Sequence, residues 1–162
     1  MYLPTRSLRR LAGVAAIACA AALIPVASLA ATSAPAAPAA AGTFYYDLNF
    51  TNLSGHACTL RGHPGVSAVN LAGGRVGTPA GWGNPGNARL RTIRLANGAT
   101  ATAVLAVTDV YNYPASVCHQ VAAAGLRVIP PNQFAYRLVP YPIRACSTSQ
   151  VFMQAGVVQR QR

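Results

Sequence analysis

The chain of 162 residues is 52% hydrophobic, which is enough for one folded domain and a targeting segment but not for a second core. Its formal net charge is +11, from 13 basic residues against Asp47 and Asp109 as the whole acidic complement. A glycosidase of the usual kind needs two carboxyl groups flanking the scissile bond. Because Asp47 is predicted within a strand and Asp109 at the start of a loop, we do not expect that class of enzyme.

Residues 1 to 30 have the pattern of an export signal peptide. Arginines among the first ten residues precede an apolar run over residues 11 to 29, and small residues then predict cleavage after Ala30. An uncleaved anchor is an alternative, since about 20 apolar residues can span a bilayer, but Pro25 and the weak hydrophobicity of alanine disfavour a permanent span. Lipid attachment at Cys19 is a further alternative, although the apolar run continues beyond it.

Residues 31 to 42 consist of alanine, proline and other small residues, which predicts a disordered tether. The folded domain is expected over residues 43 to 162. Without its signal peptide the chain keeps ten arginines against two aspartates, a net charge of +8. Such a field favours anionic partners, and basic residues on an ordinary solubilising surface are the alternative explanation.

From residue 43 onward, apolar side chains recur at every second position, and no window has the helical spacing i, i+3, i+4, i+7. Residues 44 to 50 show this alternation most clearly, and residues 57 to 60 are expected to return beside them as a hairpin. About eight short strands separated by glycine and proline predict an all-β fold, an antiparallel β-sandwich.

Residues 79 to 88, PAGWGNPGNA, are predicted to be a loop, because their glycines and prolines exceed what a strand tolerates. Trp82 within this loop either caps the core or serves as a binding anchor, and capping is the commoner role. The next segments meet at Asn97 and Gly98. If the two strands are direct neighbours, a three-residue loop that ends at Gly98 keeps their apolar rows aligned and places Gly98 in the left-handed region.

The turn PPNQ, residues 130 to 133, is predicted to join two strands as a hairpin. Cys118 and Cys146 lie equally far on either side of Asn132, so this hairpin brings them level, within the Cα separation that a disulfide requires. Export delivers the chain to an oxidising compartment. We therefore predict a Cys118–Cys146 disulfide, which would stabilise the domain by a free energy on the order of 3 kcal/mol on the chain-entropy model.

Four motifs in this order, TNLSGHACTLRGHPGV, NYPASVC, GLRVIPPNQ and ACS, resemble a family of secreted actinobacterial domains of unknown function, many of them cell-envelope lipoproteins. Together they extend over residues 43 to 158. The resemblance implies an immunoglobulin-like β-sandwich without an established activity. Members of that family often carry a further cysteine before the first long strand, where this chain has PAAPAAAG. Cys58 would face that missing cysteine, so we expect a free thiol there unless it pairs with Cys118.

A metal site is the alternative function for the first motif. His56 and Cys58 share one face of a strand, and His63 lies beyond the bend; a thiolate with imidazoles suits copper or zinc. This would make the protein an extracytoplasmic metal-binding protein or an enzyme that uses the Cys58 and His63 region. The motif is better explained as scaffold, in which Asn52 and its neighbours form a turn and Pro64 redirects the strand.

Arg89, Arg91 and Arg94 crowd one stretch and are the candidate anion-binding residues. Three arginines on other strands would extend them into a stripe if they align: Arg75, Arg127 and Arg137. The sequence does not interleave these arginines with aromatic residues as nucleic-acid readers do, so nucleic acid is not expected as a partner.

The sequence therefore predicts a non-catalytic module, secreted or held at the cell envelope, without a metal or a cofactor. Its expected partners are an anionic cell-wall polymer, lipid head groups or an envelope protein. No serine lies in a nucleophile elbow, which also argues against an enzyme.

Overall fold

The computed structural model describes residues 21–22 and 42–161. Apart from residues 21, 22 and 42, the predicted signal peptide and tether lie outside the described residues, and so does Cys19. In chain order the strands are β1 (Ala21–Ala22), β2 (Thr43–Asn52), β3 (Cys58–Leu60), β4 (Gly65–Val69), β5 (Arg75–Val76), β6 (Gly81–Trp82), β7 (Ile93–Leu95), β8 (Thr100–Thr108), β9 (Gln120–Ile129), β10 (Arg137–Cys146), β11 (Met153–Ala155) and β12 (Gln159–Arg160).

Two sheets pack against each other over one core. The larger sheet has the order β1-β2-β8-β11-β6, with β12 also beside β8, and the second sheet has the order β10-β9-β4-β5. A short β3–β7 pair stands apart from both. Every pair is antiparallel except β11 with β6, so the predicted all-β antiparallel sandwich is confirmed. The described residues form twelve strands rather than about eight, because several have only two or three residues.

One 3₁₀ turn, Val110–Asn112, follows β8. Within the described part of the chain, no helix is long and apolar enough to cross a membrane. The immunoglobulin-like connectivity that the resemblance implies stays a prediction.

The core follows from the register of β2 and β8. Phe50 lies opposite Ala101 and Leu48 opposite Ala103, so the apolar rows of the two strands share the inner face. Phe50 and both alanines are buried, as is Val128 of the second sheet. Small side chains opposite large ones allow the sheets to interdigitate closely. Full burial of a side chain such as Phe50 contributes about 2 to 3 kcal/mol.

The β9–β10 hairpin confirms the predicted turn at PPNQ. The Gln133 amide donates to the Pro130 carbonyl at 3.2 Å, and Asn132 adopts a φ of 59°, which asparagine tolerates better than most residues. At the open end of the hairpin Cys118 and Cys146 form a disulfide with a Cα separation of 4.7 Å, so the predicted pairing is confirmed.

Edge strand β10 contains a register shift between Pro140 and Ile143. Proline lacks an N–H and cannot donate a hydrogen bond to a neighbouring strand. Pro140 and Pro142 are tolerated here because β10 is an edge strand. On the neighbouring strand, a Cβ at Gly125 would collide with the Val139 carbonyl. Glycine at position 125 therefore allows the backbone of the irregular strand to approach β9 closely.

Two predicted hairpins are wrong. Strand β3 pairs with β7 rather than with β2. Strand β8 pairs with β2 along one edge and with β11 and β12 along the other, which leaves no place for β7 beside it. Gly98 has the predicted positive φ, at 80°, but its amide donates to the Asn52 carbonyl at 2.7 Å instead of closing a β7–β8 hairpin. The turn was predicted correctly, but its neighbours depend on contacts distant in sequence.

Asn52 organises the turn of the first motif, which supports the scaffold interpretation. Its side chain is buried. The Nδ2 atom donates to three backbone carbonyls, those of His56 (2.7 Å), Leu95 (3.1 Å) and Ala96 (3.2 Å). Its Oδ1 atom accepts from the amide and hydroxyl of Ser54. This one side chain therefore ties the end of β2 to the end of β7.

Cys58 is also disulfide-bonded, so the prediction of a free thiol is wrong. Its alternative pairing with Cys118 is wrong as well, because Cys118 bonds to Cys146.

A candidate anion-binding groove

A basic groove of about 570 Å³ lies where the segment before β7 meets the last strand. Three arginines line it, together with three side-chain amides and one threonine hydroxyl: Arg89, Arg91, Arg160, Asn87, Gln159, Gln161 and Thr92. Ala88 and Ile93 complete the lining. The groove therefore presents positively charged hydrogen-bond donors and neutral hydrogen-bonding groups on the same concave surface.

The loop that leads into the groove is held by Asn84. The Asn87 amide donates to the Asn84 carbonyl at 3.0 Å, and the Ala88 amide donates to Asn84 Oδ1 at 2.9 Å. Gly86 packs so closely that an added Cβ would lie 2.8 Å from Val104 Cγ2. This contact seats the loop on β8 and directs the following residues toward β12.

Strand β12 supplies the other wall. Its pairing with β8 places Gln159 opposite Thr102 and Arg160 opposite Ala101. Arg89, Arg91 and Arg160 are all exposed. No acidic side chain lines the groove, and within residues 42–161 the acidic residues are Asp47 and Asp109 alone. Since no carboxylate of the lining neutralises these guanidinium groups, they remain available to an external anion.

The structure brings together two of the three predicted anion-binding residues. Arg94 does not line the groove; it is exposed on β7 between buried Ile93 and Leu95. Arg61 lies near the groove, with its Nη1 atom 3.5 Å from Thr92 Oγ1. Sequence reasoning missed both Arg61 and Arg160. Neither is close in sequence to the predicted arginines, so no local spacing could have indicated them.

The predicted extension of the stripe through Arg75, Arg127 and Arg137 is wrong. All three belong to the second sheet, on β5, β9 and β10. Arg127 lies opposite Leu138 and Arg137 opposite Val128, so the two point to opposite faces. Arg127 instead stacks over the Tyr136 ring, with its Cζ atom 4.2 Å from the ring centroid, and its buried Nε has no hydrogen-bond partner.

The first motif does not form the alternative metal site. Among the described residues, no group of three or more His, Cys, Asp or Glu side chains could hold a metal ion. Cys58 is oxidised in a disulfide, so it has no thiolate to offer. His56 Nδ1 lies 3.0 Å from the Ser54 carbonyl, and His63 Nε2 lies 3.1 Å from the Gly83 carbonyl.

Trp82 does not cap the core, so that interpretation is wrong. Its side chain is 78% exposed. The prediction failed because residues Gly81–Trp82 form strand β6 at the edge of the larger sheet, paired in parallel with β11. The indole stacks on the His63 ring, with centroids 5.5 Å apart and planes 8° from parallel.

A second concavity, of about 180 Å³, opens between the two sheets. Its wall is mainly apolar, with Leu105 and Leu126 from the sheets and the Tyr46–Tyr141 pair beside them. These two rings meet edge to face with centroids 5.3 Å apart. Burial, and then a hydrogen bond with Tyr141, raises the pKa of Tyr46 from 10.0 to about 12.

The chain matches a known protein family over most of its length. A family described as "Domain of unknown function (DUF4232)" matches residues 19–158. This range covers the whole β-sandwich up to Val158 and begins within the segment predicted to be a signal peptide. No curated protein and no solved structure matches the chain significantly.

Proposed function

This chain belongs to the DUF4232 family, a domain of unknown function, and we propose that it is a non-catalytic, extracytoplasmic module whose groove binds a linear anionic polymer. One observation carries the proposal. Arg89, Arg91 and Arg160 line a groove with a volume of about 570 Å³, and no carboxylate lines it. Their convergence from separate parts of the chain distinguishes the groove from scattered surface arginines.

The chemistry of the lining fits phosphate, sulfate or carboxylate groups. A guanidinium presents a planar fork of donors that matches these oxyanions in a bidentate manner. The neighbouring amides of Asn87 and Gln159 can donate to further oxygens of the ligand. A concave site suits an extended chain better than a flat bilayer, because a planar surface contacts protruding side chains first. Anionic polymer is therefore favoured over lipid head groups.

The same lining supports a binding role over catalysis. It holds no aspartate, glutamate, histidine, cysteine or serine. Thr92 is the one hydroxyl of the groove, and activation of a hydroxyl nucleophile needs an adjacent base, which arginine does not supply at ordinary pH. The groove thus has groups that hold an anion and lacks groups that would move its protons.

The proposed location rests on the cysteines. Structural disulfides such as Cys118–Cys146 form and persist in oxidising compartments. This is compatible with a secreted or envelope-held protein, where anionic wall polymers are the abundant partners of matching charge. An envelope protein with an acidic surface is the other candidate partner that carries negative charge.

Titration of the purified chain with sodium polyphosphate at several salt concentrations tests the proposal. Affinity should fall steeply with salt, because binding releases counterions from the polymer. Arg160→Gln should weaken binding by about threefold to tenfold. Arg75→Gln, which changes the charge equally but lies outside the groove, should have a smaller effect. Binding that prefers phosphatidylglycerol vesicles to polyphosphate would favour the membrane alternative and refute the polymer.

A further inference from the structure

An exposed aromatic stack lies on the same segment of chain that leads into the groove. Trp82 is 78% exposed, and His63 covers one face of its indole at a centroid distance of 5.5 Å. Tryptophan carries a large apolar surface that is usually buried. The opposite indole face therefore offers a flat apolar area to solvent.

This stack is built into the fold from both sides. The Gly83 amide donates to the Ala155 carbonyl at 3.1 Å, which fixes the backbone next to Trp82. Behind the indole, His63 Nε2 lies 3.1 Å from the Gly83 carbonyl, and the following Pro64 is buried. Both rings are thus positioned before any ligand arrives, which lowers the ordering cost of binding.

The chain between the stack and the groove is short and well placed. Gly83 lies against Gln154, Gly86 approaches Val104 and Gln159, and Gln159 and Asn87 already line the groove. Residues 82 to 87 can span at most about 18 Å when fully extended. An oligosaccharide of a few units covers such a length, so one ligand can reach both places.

The ring face selects the kind of ligand. Aromatic faces bind cations, planar bases and the C–H faces of sugar rings. The chain carries 13 basic residues against two acidic ones, and this field repels cations. Sugar rings need no charge of their own, and they occur in the anionic polymers of cell envelopes. A sugar ring is therefore the occupant that suits both the stack and the field.

We propose that Trp82, positioned by His63, is a sugar-stacking subsite that continues the basic groove, and that the polymer is a glycan bearing anionic groups. This inference rests on the proposed function, because it takes the groove as the site of the charged groups. It adds the class of the ligand and a residue that selects it.

Trp82 is the one tryptophan of the sequence, so its fluorescence reports on the subsite directly. The purified chain is titrated with dextran sulfate, which has sugar rings and charge, and with polyphosphate, which has charge alone. Dextran sulfate should shift or quench the emission, whereas polyphosphate should bind and leave it unchanged. An equal change with both probes, or no change with bound dextran sulfate, would overturn the subsite.

Variants separate stacking from charge. Trp82→Ala should weaken dextran sulfate binding by at least about fivefold and leave polyphosphate binding within about twofold. Trp82→Phe should recover most of the loss, because it keeps a ring face, and His63→Ala should fall between them. Because Trp82 is exposed and His63 is only partly buried, circular dichroism should show all three variants folded. Equal losses with both probes would show that Trp82 acts only on the groove and would contradict the subsite.

Two further outcomes distinguish a failure of the proposed function from a failure of the stacking subsite. If neither polyanion binds, the proposed function itself is wrong. If polyphosphate binds through the groove arginines but dextran sulfate is insensitive to Trp82, only the stacking subsite is wrong. A single-stranded oligonucleotide that binds more tightly than dextran sulfate, with loss on Trp82→Ala, would assign the stack to bases and overturn the glycan.

Discussion

Arg91 and Arg160 line the same groove although one precedes β7 and the other lies in the last strand. The pairing of Arg160 with Ala101 of β8 places it there. The groove is thus a product of the folded chain rather than of one basic segment. Its chemistry depends on the two-residue strand β12, which is held to β8 through Gln159 and Arg160.

Asn52→Asp should destabilise the fold strongly although the two side chains have nearly the same shape. The Asn52 Nδ2 atom donates to three carbonyls, and aspartate would place a charged oxygen against them. We expect a loss of about 3 kcal/mol or more in the free energy of unfolding, measured in urea. Asn49→Asp is the matched control, because Asn49 Oδ1 is an acceptor for the Thr102 hydroxyl and stays one. Equal losses in both variants would contradict the role of Asn52.

The Cys118–Cys146 bond should stabilise the domain substantially. It closes a loop with a sequence separation of 28, for which the chain-entropy model gives about 3.5 kcal/mol. The double variant Cys118→Ala/Cys146→Ala should lower the free energy of unfolding by roughly that amount. Reduced far-ultraviolet ellipticity at ambient temperature would indicate the stronger outcome, loss of the fold. An unchanged urea midpoint would refute a stabilising role.

Tyr46 should make the fold sensitive to alkaline pH. Its pKa is raised in the folded chain from 10.0 to about 12, so the folded state keeps a proton that the unfolded state releases. Its contribution to stability is therefore complete below pH 10 and declines as the pH rises toward 12. Tyr46→Phe should flatten the fall of the melting temperature in this window, whereas the exposed neighbour variant Tyr45→Phe should retain it. Identical slopes for the two variants would contradict the assignment.

Sequence features predicted the parts of the fold that depend on residues close in sequence. Period-two patterning gave the strands, and the symmetry of two cysteines about Asn132 gave the disulfide because a hairpin relates residues by sequence distance alone. The positive φ of Gly98 followed from its turn. Which strands become neighbours did not follow, because both edges of β8 pair with strands distant in sequence, β2 on one side and β11 and β12 on the other.

The candidate site was predicted only in part, because some of its residues come together through contacts distant in sequence. Arg89 and Arg91 are close in sequence, so their shared location could be expected. Arg160 lies in the groove because β12 pairs with β8, a contact distant in sequence. Arg94 lies outside the groove, on the exposed face of β7 between the buried Ile93 and Leu95. Trp82 was misjudged because a two-residue strand holds it at a sheet edge, and so short an element has no periodic signal.

The most direct test of the groove compares two triple variants of equal net charge. One replaces the groove arginines by glutamine: Arg89, Arg91 and Arg160. The other replaces three arginines outside the groove: Arg75, Arg137 and Arg144. Calorimetric titration with polyphosphate at one low salt concentration should show a loss of affinity of at least about 30-fold for the first variant and no more than about threefold for the second. Equal losses would show that binding follows net charge alone and would contradict the groove as the binding site.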